Sequence, residues 1–103
     1  MDKTPLEQAE VILREVDEIL LLPATESATK RIGKFRELAQ TLRTTVAYEQ
    51  GMRTEFQQLI ALVSPLLEAI TQDSPHVSRA IREIPGLREA RRNLVDYIER
   101  VRP

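Results

Sequence analysis

Residues 32–70 read IGKFRELAQTLRTTVAYEQGMRTEFQQLIALVSPLLEAI, and the fold is decided by how this stretch is read. Apolar residues recur at Ile32, Phe35, Ala39, Leu42 and Val46, then at Phe56, Ile60, Val63, Leu67 and Ile70. Steps of three and four mark a helix that buries one stripe. The two sets share a phase if Glu49 and Arg53 are counted as seam positions between them; both are charged, and they flank Gly51. Two architectures fit. One is a single long central helix over about residues 26–71, kinked near Pro65 and roughly 68 Å long at the usual rise per residue. The other is a pair of helices folded back at the polar waist. Gly51 after a helical run is a stop signal, and Thr54 followed by Gln57 offers a cap for a new helix. The kept phase and the lack of a proline at the waist favour continuity. An unbroken helix implies packing on a second copy, whereas a turn implies a compact monomer.

Around this stretch the chain reads as further helices. Thr4-Pro5 with Glu7 is a capping box opening the first one, whose seam is Leu6, Ala9, Leu13, Val16 and Leu20, widened by Ile12 and Ile19. Pro23 closes it, with Leu21 and Leu22 covering the turn. Thr25 or Ser27 caps the next helix. The short link makes the first two helices antiparallel, which sets Lys30, Arg31 and Lys34 beside Glu15, Asp17 and Glu18. Ser74-Pro75 starts a short helix with Val77, Ala80, Ile81 and Ile84, closed by Pro85-Gly86. The last helix turns Leu87, Ala90, Leu94, Ile98 and Val101 inward. The expected fold is all-α: a single domain, residues 1–103, built as a small bundle of four to five helices.

Composition narrows the functions. At 103 residues the chain can bury one modest core, and with 4% aromatics and no Trp that core is aliphatic. A net charge of −1 directs it to neither nucleic acid nor membrane. The absence of Cys excludes disulfides, thiol catalysis and Cys-based metal sites. The N-terminus has no signal-peptide pattern, and the longest apolar run, residues 19–22, is far too short to span a bilayer. A cytoplasmic protein without membrane contact is expected.

No motif calls for chemistry. His76 is the sole histidine and has neither His nor Cys to join it at a metal. Gly33, Gly51 and Gly86 are isolated and form no phosphate loop, and Ser64, Ser74 and Ser78 read as caps or turn residues. Neither catalysis nor a cofactor is expected. The most apolar stretch, residues 56–70, exceeds what the short C-terminal helices can cover. The expectation is therefore a non-catalytic helical protein–protein interaction or assembly module, an adaptor that self-associates as a dimer or larger homo-oligomer, with Leu59, Leu62 and Leu66 on the docking surface. The rival reading is nucleic-acid binding. Residues 73–103 carry seven arginines and no lysine against five carboxylates, and guanidinium forks suit phosphate and carboxylate groups. Arg88, Arg91 and Arg92 are its candidate contacts. Pairs such as Glu89 with Arg92, or Asp96 with Arg92 or Arg100, would instead make this a self-satisfied surface.

The run Arg88-Glu-Ala-Arg91-Arg92-Asn-Leu-Val95-Asp-Tyr-Ile98 resembles the last helix of BAG co-chaperone domains. The resemblance covers about a tenth of the chain. It implies a three-helix bundle whose final helix grips the ATPase domain of a heat-shock chaperone, with Arg91 as the contacting arginine. Glu99 stands where that family usually has Gln, and the turn at Pro85-Gly86 departs from its pattern.

Overall fold

The structure is a computed structural model that describes residues 3–23, 25–72 and 86–103. The expected short helix from Ser74 and the histidine His76 lie outside the described residues. Among those described, the chain forms four α-helices and no strand: α1 (Pro5–Leu20), α2 (Ala28–Ala47), α3 (Gln57–Gln72) and α4 (Leu87–Val101). A single 3-10 turn, Thr54–Phe56, leads into α3.

Local signals set the helix ends. Thr4 is extended, and its hydroxyl accepts from the Glu7 N–H at 3.2 Å while the Glu7 carboxylate accepts the Thr4 N–H at 3.2 Å, so the capping box forms as expected. α1 stops at Leu20, before Pro23, because the residue preceding a proline is pushed out of the helical region. Ser27 is the cap of α2, accepting from the Lys30 N–H at 3.2 Å. Gly86 caps α4 from a left-handed conformation, φ 91°, which favours glycine.

Pairings across the helices define the topology. On α1 and α2, Gln8 meets Thr45, Glu15 meets Thr41 and Glu18 meets Lys34. The partner number falls as the residue number rises, so the two helices are antiparallel. The same holds for α2 and α3, where Tyr48 stacks on Phe56 while Ile32 and Phe35 lie near Ile70. It holds for α1 and α4, with Asp17 on Arg91 and Leu6 near Val101. α1 and α3 each pack on both α2 and α4. The four described helices thus form a ring, alternately up and down around one core.

The waist is a turn. α2 ends at Ala47, and a run of tight bonds follows, with the Gln50 N–H donating to the Ala47 carbonyl at 3.1 Å and Met52 to Glu49 at 3.0 Å. The continuous helix over residues 26–71 is therefore not formed, and the chain folds back. The left-handed residue in the turn is Met52, φ 59°, rather than Gly51. Thr54 makes no side-chain cap; the new helix begins instead through a 3-10 turn whose Phe56 is completely buried. Arg53 lies over both aromatic rings, 5.2 Å from the Tyr48 centroid and 4.6 Å from that of Phe56, and the rings are themselves 4.3 Å apart. Its Nη2 also donates to the Lys3 carbonyl at 3.3 Å, which ties the start of α1 to the same turn.

Burial follows the expected faces but is rotated within them. In α1 the centre is Ala9, Ile12, Val16 and Ile19, while Leu6, Leu13 and Leu20 sit half-buried at its edge. Leu38, Leu59, Leu66 and Tyr97 join the core as well. A helix in a ring has two neighbours, so its buried stripe is broader than a single seam and is centred between them. Val101, expected inward, is 40% exposed at the end of α4. Leu21 is 82% exposed and leaves cover of the turn to the half-buried Leu22. Pro65 is accommodated inside α3, on the exposed side with Ala61, the residue whose carbonyl it deprives of a partner.

Met52 is 85% exposed, so its side chain contributes little packing to offset its backbone conformation. Met52→Gly is expected to stabilise the fold by about 0.5–1 kcal/mol, since the left-handed penalty exceeds the extra freedom glycine has when unfolded. The midpoint of urea unfolding reads this, and a midpoint that falls would refute it.

Candidate interaction surfaces

Buried polar groups lie mainly between α1 and α2. Gln8 and Thr45 are both buried; Gln8 Nε2 donates to Thr45 Oγ1 at 2.8 Å, and that hydroxyl donates to the Thr41 carbonyl at 2.9 Å. One turn away, Thr41 Oγ1 donates to Glu15 Oε1 at 2.9 Å, whereas Glu15 Oε2 is buried without a hydrogen-bond partner. Burial pushes the Glu15 carboxyl above its ordinary range, only partly offset by the Thr41 hydroxyl and by Arg14. Further along, Lys34 Nζ lies 3.1 Å from Glu18, which holds the lysine's pKa up. Arg31, nearly buried, donates to the Pro23 carbonyl and so clamps the link between the helices. Lys3, Val11, Thr44 and Tyr48 complete an open groove of about 420 Å³ over this line. Apart from Glu15 Oε2, these groups bond to one another across the interface, which fixes the register of α1 on α2.

The expected charge match is met in part. Lys34 takes Glu18, but Lys30 pairs with Glu26 at 3.6 Å, and Asp17 is taken by Arg91 of α4 at 2.5 Å. Arg91 is therefore held inside the bundle's own contacts, which places the arginine singled out by the BAG resemblance on α1. The ring of four helices also differs from the three-helix bundle that resemblance implies. Arg88 and Arg92 are exposed one turn apart on α4. The pairs expected to neutralise them, Glu89 with Arg92 and Asp96 with Arg92 or Arg100, are not made among the described residues.

Of the expected docking leucines, Leu59 is 0% exposed and Leu66 is also buried, so both belong to the chain's own core. The folded waist is the reason, because it sets α2 beside α3, and the apolar excess of residues 56–70 is covered by α2 and α4 together. Only Leu62 remains half-buried, in an open groove of about 530 Å³ with Asn93, Asp96, Glu99 and Arg100.

A different surface emerges between α2 and α3. The half-buried Ile32, with the buried Phe35, Ala39 and Ile70 behind it, floors a groove of about 210 Å³ that Thr71 also lines, and Arg36 and Arg43 of α2 stand at its rim. Both arginines are exposed, and among the described residues neither makes a hydrogen bond or ion pair. The floor residues were legible as seam positions. The rim was missed because Arg36 and Arg43 fall outside the apolar pattern. Their signal is a seven-residue spacing beside the seam, which places both on one face two turns apart.

No known protein family, curated protein or solved structure matches the chain. No helix among the described residues is long and apolar enough to cross a membrane. No group of three or more acidic or histidine side chains among them is placed to hold a metal ion.

Two outcomes follow for the α1–α2 interface. Thr45→Val strands the buried Gln8 amide and is expected to cost about 1–3 kcal/mol, most of which Gln8→Leu should restore in the double variant. Additive losses in that cycle would show that the bond does not couple the helices. For Glu15, the folded state holds a proton that the unfolded chain has already lost, in the window between the ordinary glutamate pKa and its raised value, so stability falls as pH rises through that window. Glu15→Gln is expected to be the more stable protein at neutral pH and to lose its advantage below the ordinary glutamate range. Unfolding midpoints that differ equally at every pH would contradict this.

Proposed function

We propose that this chain is a non-catalytic helical interaction module that works through its helix faces. The observation that supports the reading is the α2–α3 groove, rimmed by two arginines that have no partner among the described residues. Helix pairs that leave a hydrophobic furrow between them commonly receive a segment of another protein, and unspent charge at the rim supplies orientation. The self-association expected from residues 56–70 loses most of its basis, because Leu59 and Leu66 lie in the core. The module is accordingly proposed to act as a monomer toward a heterologous protein.

A second reading, binding of nucleic acid, is supported by Arg88 and Arg92 on α4, which make no ion pair among the described residues. It is the weaker one because every aromatic side chain of the protein is occupied: Phe35, Phe56 and Tyr97 are buried, and Tyr48 lies beneath Arg53. No ring is left as a stacking platform for bases.

Photo-crosslinking amino acids placed at exposed positions of each helix, in cells that express the full chain, test the assignment. A defined adduct with a second protein from at least one face is the expected result. Adducts at the mass of two copies would reinstate self-association, adducts only with nucleic acid would favour the second reading, and no adduct from any face would overturn the interaction module.

A further inference from the structure

The groove between α2 and α3 carries more information than its existence, because its rim is charged in one sense only. α2 contains five cations, Lys30, Arg31, Lys34, Arg36 and Arg43, against the single carboxylate Glu37. Three of the five are spent within the fold: Lys30 on Glu26, Lys34 on Glu18 and Glu37, and Arg31 on the Pro23 carbonyl. The two that make no hydrogen bond or ion pair among the described residues are the two that stand over the groove.

Resting on the interaction-module reading, we infer that the α2–α3 groove binds an acidic amphipathic helical segment of another protein. Its apolar side chains would pack on Ile32 and on the edges that the buried Phe35, Ala39 and Ile70 leave to the groove, and its carboxylates would meet Arg36 and Arg43. The geometry sets the pattern of that segment. Seven residues of α-helix separate the two arginines by about 10.5 Å along the axis. A helix lying alongside α2 therefore presents two carboxylates seven residues apart, with apolar residues at three- and four-residue steps between them. Arginine suits this task, since its planar fork takes a carboxylate through two parallel hydrogen bonds. The apolar floor separates this site from a phosphate-binding surface, which needs no such floor.

The probe is a fluorescein-labelled synthetic peptide, helical and amphipathic, with leucines on one stripe and glutamates seven residues apart at its edge. Fluorescence anisotropy with the full chain is expected to give saturable binding that weakens severalfold between about 0.05 and 0.3 M salt, as exposed ion pairs do. Arg36→Glu with Arg43→Glu should weaken it at least about tenfold. A peptide carrying lysines in place of the glutamates should then bind this variant better than it binds the original protein. Both positions are exposed, so the fold should persist, which circular dichroism checks; Arg36→Gln with Arg43→Gln, expected to give a smaller loss in the same direction, serves if the reversal unfolds the protein. Arg88→Glu with Arg92→Glu on α4 should leave peptide binding unchanged. Equal losses from the α4 variant, or no saturable binding at low salt, would overturn the inference. So would single-stranded oligonucleotides that bind where the peptide does not. A protein adduct from another helix face, with no peptide binding here, would sink the groove assignment while leaving the interaction module standing.

Discussion

The packing of Arg53 over Tyr48 and Phe56 is the contact on which the rest of the structure depends. It closes the turn between α2 and α3, and that turn converts one continuous apolar seam into two facing walls of a core. Phe56 is fully buried at the point where the chain reverses, and Tyr48 covers it from the end of α2. The guanidinium lies over both rings and reaches the Lys3 carbonyl, so the end of α2, the start of α3 and the distant start of α1 meet at one side chain. A cation over an aromatic face is worth from about half a kilocalorie to two or more when partly desolvated. Its larger effect is geometric, since without the reversal α3 would have no α2 to cover it and Leu59 and Leu66 would face water.

That dependence explains what the sequence did and did not disclose. Helix type, the capping box at Thr4 and Glu7, the stop before Pro23 and the antiparallel first pair are local consequences of residue chemistry, and they are seen as expected. The waist was open to two readings because its evidence is long-range. Glu49 and Arg53 continue the seam in phase, but the polar character of Arg53 is used to roof two rings rather than to interrupt a stripe. The left-handed residue falls on Met52, where no residue preference would place it. The core was legible as helix faces but not as a list. Leu38, Leu59, Leu66 and Tyr97 are buried because each helix has two neighbours, and the number of neighbours is a property of the whole ring.

The candidate sites were less legible for a related reason. Reading charges along one helix invites pairing within it, yet Asp17 of α1 pairs with Arg91 of α4 across the bundle, and among the described residues Glu89 and Asp96 make no pair with their helical neighbours. Leucines that look surplus on an isolated helix are consumed once that helix is flanked on two sides. In both cases the sequence pattern identifies residues able to make a contact, while the tertiary arrangement decides which partner each one meets. Gln8 and Thr45 show the same principle inside the core. Neither belongs to an apolar pattern, and each is tolerated there because the other supplies its hydrogen bond.

The four interfaces of the ring are not equivalent, and this bears on where a partner can sit. The α1–α2 interface is laced with polar pairs that satisfy each other, so an incoming segment would have to replace bonds already made. At the α3–α4 interface, the furrow beside Leu62 is rimmed by Asp96 and Glu99 together with Arg100, a mixed rim without a dominant sign. The α1–α4 contact is bridged by Asp17 and Arg91. Between α2 and α3 the floor is apolar, the rim is cationic, and the neighbouring cations of α2 are already engaged elsewhere. A partner arriving there would break no ion pair made among the described residues, and an acidic one would give Arg36 and Arg43 their complement. Among the described residues the attraction at that surface is therefore not opposed by the loss of an ion pair, which sets it apart from the α1–α2 and α1–α4 sides, while its single sign of charge sets it apart from the α3–α4 side.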